Sequence, residues 1–209
     1  MNEPRTLLLI DMQKAFDDHA YWGGGRNNPE AEDNAARLLT HWRAQGWPVI
    51  HIKHNSVVPT SILRPGHAGN AFKDEVAPLP GEPVFAKTVN SAFIGTGLHA
   101  YLTEHRVRSL VIAGLTTDHC VSTTTRMAGN YGYETYLVAD ATATFDKTGF
   151  DGQRYPAEQV HQLALASLHE EFATVLATAQ LLEKVAGSEI GDFASASTSA
   201  GQSGNWVSG

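Results

Sequence analysis

The sequence contains little of what marks secreted, membrane or nucleic-acid-binding proteins. It has one cysteine in 209 residues, and its 15 basic side chains are outnumbered by 22 acidic ones, for a formal charge of −7. A single cysteine cannot form an internal disulfide, which favours a reducing compartment. An acidic chain is a poor match for nucleic acid or an anionic membrane. We therefore expect neither as a partner.

Long hydrophobic runs are also missing from the sequence. No apolar stretch approaches the roughly 20 residues that a membrane-spanning helix needs. The run nearest the start, Leu7–Ile10, ends at an aspartate, which is unlike a signal peptide. The expected location is therefore the cytoplasm.

What the sequence does contain is an alternation of short apolar segments with helical patterns. The apolar segments lack polar alternation, which is typical of strands buried on both faces of a parallel sheet. We predict strands at Thr6–Ile10, Val49–Ile52, Val84–Ala86, Leu110–Ala113, Thr135–Ala139 and Phe172–Leu176. Weaker patterns predict helices at about 98–105, 118–130, 156–169 and 177–185. The alternation predicts a doubly wound α/β fold with helices on both faces of the sheet.

The best-marked helix follows the first strand. Asn28 is predicted to cap it, Pro29 suits its first turn, and Gly46 ends it. Its expected buried stripe consists of Ala31, Ala35, Leu38, Leu39 and Trp42.

Two other segments differ in composition from the rest of the chain. Residues 55–83 hold five prolines and several glycines, which predicts a long loop of the kind that often forms a lid or wall over a site. Residues 187–209 are rich in Gly, Ser and Ala. We predict a single domain over 1–186 followed by a flexible tail at 187–209.

Three chemically useful side chains stand at the carboxyl ends of predicted strands, where open parallel sheets bind ligands. They are Asp11, Lys87 and Cys120. Each alone is common as a turn former, a solvated charge or a packing residue. Together they suit a cysteine nucleophile: Lys87 and a helix capped by Thr117 or Asp118 would favour the thiolate, and Asp11 would move the proton.

The stretch HCVSTTTR, 119–126, offers a different interpretation, because it fits the H-C-x5-R pattern of cysteine phosphatases. A phosphate cradle needs successive inward-pointing N–H groups, usually with glycine. Here VSTTT has no glycine and four β-branched residues, which resist the required backbone angles. In a helix, Arg126 would lie about 240° round from Cys120 and point away from the thiol. We therefore disfavour a phosphatase.

The segments TLLLIDMQ, FAKTVNSAF and AGLTTDHCVSTTTRMA occur in an order and spacing that resembles the isochorismatase-like family of cysteine hydrolases. The resemblance runs from about residue 6 to 176. It implies a six-stranded parallel sheet, a catalytic triad of Asp11, Lys87 and Cys120, and assembly into dimers or larger oligomers. It also implies a cis peptide between Leu115 and Thr116, with the N–H groups of Thr116 and Cys120 forming the oxyanion hole. We expect no cofactor and no metal.

Two differences between this sequence and particular members of that family narrow the expected activity. Nicotinamidases carry an aspartate and histidines for a metal after the second strand, whereas HIKHNS has no aspartate. His51 and His54 are three apart on a predicted strand, so they should face opposite sides; His67 is isolated. Isochorismatases that cleave a vinyl ether can lack the cysteine, so its presence favours amide chemistry. The stretch GHAGNAFKDEVAPLPGEPVFAK is most similar to bacterial cysteine hydrolases that include streptothricin hydrolase.

The predicted function is hydrolysis of a C–N bond, of the amide, ureido or lactam type, in a small molecule through a thioester. The alternatives are a nicotinamidase or isochorismatase-type hydrolase, and a catalytically silent binding protein on the same fold. A dinucleotide-binding module lacks support, because no G-x-G-x-x-G follows the first strand.

The substrate contacts are predicted from nearness to the rim of the sheet, and several polar residues there have competing interpretations. The candidate contacts are Phe16, His54, Asn55, Phe93 and His119, with Trp22 and Ser91 as further candidates. Gln13 either orients the triad or satisfies backbone groups. Asp140 is interpreted as a turn former.

Overall fold

The computed structural model describes residues 5–186, so the predicted tail lies outside the described residues. Six parallel strands form the central sheet, and a small antiparallel hairpin follows the fifth. In chain order the strands are β1 (Thr6–Ile10), β2 (Val49–His54), β3 (Val84–Lys87), β4 (Ser109–Leu115), β5 (Glu134–Ala143), β6 (Lys147–Thr148), β7 (Arg154–Tyr155) and β8 (Thr174–Leu176). Only β6 and β7 form the hairpin.

The central sheet has the strand order β3-β2-β1-β4-β5-β8, with every neighbouring pair parallel. The direction of winding reverses between β1 and β4, and a crevice opens at such a switch point beyond the carboxyl ends of the strands. The predicted parallel sheet is confirmed. β5 continues to Ala143, beyond the predicted Ala139, because the β4–β5 pairing resumes after a register shift between Ile112 and Gly114.

Helices cover both faces of the sheet, as predicted. They are α1 (His19–Trp22), α2 (Ala31–Ala44), α3 (Leu98–Glu104), α4 (Ser122–Asn130), α5 (Ala157–Ala166) and α6 (178–186). Leu7 and Leu9 of β1 face the core that includes α2 and α6, while Leu8 and Ile10 face the core that includes α3, α4 and α5. No helix within residues 5–186 is long and apolar enough to cross a membrane.

The helix after β1 differs from its prediction only at its start. Its five predicted stripe residues are all buried, and Gly46 follows its end with a φ of 65°. Asn28 does not cap it: the helix begins at Ala31, and the Asn28 amide donates to the backbone oxygens of Ala139 and Thr142. The Asn28 side chain therefore ties the turn before α2 to β5.

The helical segment that carries the cysteine runs over the predicted residues, but its predicted caps are wrong. A π-helical turn, Thr117–Val121, precedes α4, and neither predicted cap acts as one. The Thr117 hydroxyl lies 2.9 Å from Nδ1 of His161, and Asp118 accepts a hydrogen bond from Thr144. Both side chains thus anchor the turn to neighbouring elements instead of closing the helix on itself.

The segment 55–83 is irregular over most of its length, with single 3-10 turns at Ala68–Asn70 and Asp74–Val76. Two buried side chains hold it against the domain. The Asn70 amide donates to the backbone oxygens of His54 and Leu63, and the Lys73 ammonium lies 2.7 Å from Glu32 of α2. The loop is therefore fastened at both its middle and its later part.

Candidate active site

Three side chains meet at the carboxyl edge of the sheet, beside the switch point. The ammonium of Lys87 lies 2.6 Å from Oδ2 of Asp11 and 3.3 Å from Sγ of Cys120. Asp11 and Lys87 are almost completely buried, and Cys120 is 7% exposed. The sequence placed these three residues at strand ends, and the structure brings them into contact.

The backbone at the end of β1 turns sharply to deliver Asp11 into this cluster. Asp11 has a φ of 51°, in the left-handed region that few non-glycine residues adopt. Beside it, Gly114 of β4 has a φ of 139°, and a Cβ there would lie 2.1 Å from the backbone oxygen of Ile10. The close approach of β4 to β1 therefore requires glycine at position 114.

Burial and charge set the protonation of the cluster. Burial raises the pKa of Asp11, and the positive charge of Lys87 opposes this. Burial also raises the pKa of the Cys120 thiol, and the Asp11 carboxylate raises it further, against the opposing charge of Lys87. Burial and the Asp11 carboxylate therefore favour the thiol in the free protein, whereas the sequence led us to expect that Lys87 and the helix start would favour the thiolate. A buried carboxylate lies within 4.8 Å of Sγ to take up the proton.

His54 adds a fourth polar group to the cluster. Its Nδ1 lies 3.0 Å from Nζ of Lys87. Burial first, and the charge of Lys87 second, lower the pKa of His54 to about 4. His51, on the same strand, faces away and has its Nε2 2.8 Å from Glu82. The prediction that the two histidines face opposite sides is confirmed.

Asp11, His54 and Cys120 each offer one donor atom, all within 4.8 Å of one another, which is a spacing that suits a metal ion. The Lys87 ammonium already contacts an atom of each of the three residues. The donors therefore match a cation that the chain itself supplies, and they do not fit a metal while Lys87 stands there. The expected absence of a metal stays a prediction.

A cavity of about 240 Å³ opens onto the thiol. One wall is aromatic, with Phe16 and Trp22 stacked at a centroid distance of 4.7 Å, and Trp22 is held by its Nε1 donating to the backbone oxygen of Ala15. The lining residues are Phe16, Tyr21, Trp22, His54, Ser56, Val58, Ser61, Leu63, Asn90, Thr116, His119 and Cys120. The 55–83 loop thus supplies part of the cavity lining.

The predicted substrate contacts divide into those that line this cavity and those that do not. Phe16, His54 and His119 line it, as does Trp22. Asn55 instead accepts a hydrogen bond from Asn70 within the loop. Phe93 packs against the rings of Tyr131 and Tyr133, and Ser91 lines a neighbouring groove. Side-chain direction in the segment after β3 could not be derived from its spacing.

Two ambiguous polar residues have structural partners. The Gln13 amide donates to the backbone oxygens of His54 and Asn70 and accepts from the His54 N–H, so it joins the ends of β1 and β2 through backbone groups. Asp140 accepts from the N–H and the hydroxyl of Thr178, at the start of α6. It therefore caps a helix.

The structure adds cavity residues that the sequence did not single out. Asn90 has its Oδ1 3.8 Å from Sγ of Cys120. It follows Lys87 by three residues, which is the only signal that could have indicated it. The others, among them Tyr21 and Leu63, lie on segments whose path no periodicity predicts.

The remaining features of the turn that carries Cys120 distinguish the cysteine-hydrolase interpretation from the phosphatase interpretation. The peptide between Leu115 and Thr116 is cis, as the resemblance implies, and Thr116 lines the cavity. The Arg126 guanidinium lies over the ring of Phe172, 4.8 Å from its centroid. It is therefore engaged away from the thiol, which removes the basis of the phosphatase interpretation.

Residues 5–180 match the Isochorismatase domain. The chain belongs to the isochorismatase family. It is 48% identical over 182 residues to the isochorismatase family protein YrdC of Bacillus subtilis (strain 168), covering 87% of this chain and 96% of YrdC. A solved isochorismatase-family structure from Chromobacterium violaceum ATCC 12472 has a TM-score of 0.85 at 49% identity, covering 89% of this chain and 95% of that one.

The family assignment confirms the resemblance recognised in the sequence, and the protein is an isochorismatase-family hydrolase. Streptothricin hydrolase from Streptomyces noursei is 34% identical over 145 residues, which cover 68% of this chain. The match spans only 50% of that enzyme's length. The similarity thus extends to a hydrolase with a named substrate, but over half of its chain.

Proposed function

We propose that the protein hydrolyses a C–N bond of a small amide-type molecule through a thioester on Cys120. The observation that carries this proposal is the contact of one lysine with both an aspartate and a cysteine at the floor of a small cavity. Such a cluster contains the nucleophile, the proton carrier and the charge that acyl transfer needs.

In the first half-reaction, Sγ of Cys120 attacks the carbonyl carbon while Asp11 takes the thiol proton. The C–N bond then breaks, Asp11 returns the proton to the departing nitrogen, and the acyl group stays on sulfur. In the second half, Asp11 takes a proton from water as the oxygen attacks the thioester, the C–S bond breaks to release the acid, and Asp11 returns that proton to the sulfur, which is again a thiol. Lys87, which contacts both Asp11 and the sulfur, keeps them in their relative positions through both half-reactions.

The N–H groups of Thr116 and Cys120 are proposed to stabilise the oxyanion of each tetrahedral intermediate. Thr116 directly follows β4 and lines the same cavity as Cys120. Donors on a rigid turn need no rearrangement as charge develops, which is what makes such groups effective.

The cavity limits the substrate in size and shape. A volume of about 240 Å³ suits a small molecule, and the Phe16–Trp22 wall suits a partly planar one. Amides, ureido compounds and lactams meet both conditions.

The test is a screen of small amides for ammonia or amine release with wild-type protein and Cys120→Ala. We expect release that Cys120→Ala abolishes, at least about 10³-fold, because the nucleophile is removed. Arg126→Gln is the matched control and should retain the wild-type rate, since its guanidinium stacks on Phe172. Equal turnover by Cys120→Ala, or no wild-type turnover across the panel, would contradict the proposal and favour a silent binding protein.

Two further features belong to the same proposal. We infer a homodimer or larger assembly, because the family resemblance implies one. Light scattering on the purified protein measures its oligomeric state directly. We also infer a cytoplasmic location, because the single cysteine of the chain has to remain a free thiol.

A further inference from the structure

The His54 imidazole has one nitrogen committed to the cluster. Its Nδ1 lies 3.0 Å from Nζ of Lys87 and 4.0 Å from Oδ2 of Asp11. An ammonium group only donates hydrogen bonds, so Nδ1 has to accept from Lys87. This contact determines the tautomer, because a neutral imidazole has a single N–H and here it has to be on Nε2.

The second nitrogen is free to bind a ligand. Within residues 5–186, the hydrogen bond of the His54 ring is made through Nδ1, to Lys87, and the ring lines the cavity. The lowered pKa of His54, about 4, keeps the ring neutral at neutral pH. Besides Lys87 and Asp11, Sγ of Cys120 lies within 4.8 Å of a nitrogen of this ring, and the other titratable groups that line the same cavity are Tyr21 and His119.

We propose that His54 positions the substrate: its Nε2–H donates a hydrogen bond to an oxygen on the leaving-group side of the scissile amide, and Lys87 holds the ring in the tautomer that allows this. The inference rests on the proposed function and adds a requirement on the substrate. It adds a substrate-contacting residue on β2 to the site formed by Asp11, Lys87 and Cys120.

The position of His54 indicates which substrate oxygen accepts the hydrogen bond from its Nε2–H. The oxygen of the scissile carbonyl is assigned to the N–H groups of Thr116 and Cys120, so a different oxygen is left for Nε2. His54 stands beside Asp11, which protonates the leaving nitrogen. The fitting substrate is therefore an amide whose leaving nitrogen carries a second acyl group, so that an acceptor oxygen is present on that side.

The tautomer is tested on wild-type protein by a long-range ¹H–¹⁵N NMR spectrum of its histidines. The His54 signals are assigned by their loss in His54→Gln. We expect a protonated Nε2 and an unprotonated Nδ1 at neutral pH, persisting until the pH nears 4. An Nδ1–H tautomer, or a protonated ring at neutral pH, would overturn the proposal. The measurement does not depend on turnover, so it can fail while the proposed function stands.

The substrate requirement is tested by titrating N-acetylurea and acetamide into Cys120→Ala, which binds without reacting. The first compound carries the second carbonyl and the other lacks it. We expect N-acetylurea to shift the His54 Nε2 signal at a concentration about tenfold lower than acetamide, the worth of one hydrogen bond. His54→Gln, which keeps an amide donor, should retain this preference in a competition assay, and His54→Leu should lose it. Equal binding of the two compounds to Cys120→Ala, or an unchanged preference in His54→Leu, would overturn the requirement.

Discussion

Asp11 and Cys120 share one buried environment, and Lys87 contacts both. Burial raises the pKa of each acid, the Asp11 carboxylate raises that of Cys120 further, and the charge of Lys87 opposes the shift in both. In the proposed mechanism, the thiol therefore gives up its proton to Asp11 as the sulfur attacks the substrate carbonyl. This differs from cysteine sites in which a thiolate is already present in the free protein.

These opposing effects on the thiol pKa predict that removing the Asp11 charge speeds alkylation of Cys120 even though it lowers the activity. Asp11→Asn should speed alkylation of Cys120 by iodoacetamide, because removing a nearby negative charge lowers the thiol pKa. The alkylation rate should rise about threefold for each unit by which the thiol pKa falls, because the larger fraction of thiolate outweighs the lower nucleophilicity of each thiolate. Lys87→Met should slow alkylation for the converse reason. Mass spectrometry reads the rate at the single cysteine.

Asp33→Asn serves as the control for charge alone, because Asp33 is exposed on α2. Its alkylation rate should match that of wild type. A slower rate in Asp11→Asn than in wild type would show that the carboxylate activates the thiol in the free protein, and would remove the argument for a protonated resting state.

At the scale of elements, buried charge ties the 55–83 loop, part of which lines the cavity, to α2. Lys73 is 5% exposed and contacts Glu32 at 2.7 Å, and Glu32 is in turn paired with Arg26 at 2.7 Å. A buried ion network of this kind is strongly weakened when one member is removed, because the remaining charges lose compensation. The attachment of the loop to α2 therefore depends on this network.

Lys73→Met should lower the free energy of unfolding by about 3 kcal/mol and speed proteolytic cleavage between 55 and 83. Denaturant unfolding and limited proteolysis measure the two effects. Lys14→Met is the matched control, because the Lys14–Asp74 pair joins the same loop but is 41% and 87% exposed. Its effect on stability should be much smaller than that of Lys73→Met, because an exposed ion pair is screened by solvent. Similar losses in both variants would contradict the role of the buried network.

At the scale of the whole molecule, stability depends on groups that folding holds in one protonation state. Burial and Lys87 lower the pKa of His54 from 6.5 to about 4. Although burial opposes it, hydrogen bonds from Arg43 and the Leu79 N–H lower the pKa of Glu82 from 4.5 to about 2. Both groups have depressed values, so the unfolded chain binds more protons, and stability is lost as the pH falls.

We therefore expect the free energy of unfolding to decline as the pH falls from 6.5 towards 4 through His54, and from 4.5 towards 2 through Glu82. His54→Gln should flatten the first part of this decline by on the order of 2 kcal/mol, because glutamine does not titrate. Urea unfolding at several pH values provides the comparison. Parallel curves for the two proteins would contradict the assignment of this loss to His54.

Much of the fold was predictable because apolar pattern and turn chemistry are local. The run TLLLI, the stripe of α2 and Gly46 all behave as their neighbours in sequence indicate. The errors occur where side chains found distant partners. Asn28 bonds to β5, more than a hundred positions away, and Thr117 bonds to His161. A capping preference is weak enough for such contacts to override it.

The sequence by itself determined which reactive groups stand at the strand ends, because the order of strands and the residues that follow them are written in it. Only the tertiary structure decided their protonation, the partner of His54 and the lining of the cavity. Lys87 and Asp11 are 76 positions apart, and Lys87 and Cys120 are 33 apart. Desolvation and charge act through space, so their effect on a pKa exists only once the chain has folded.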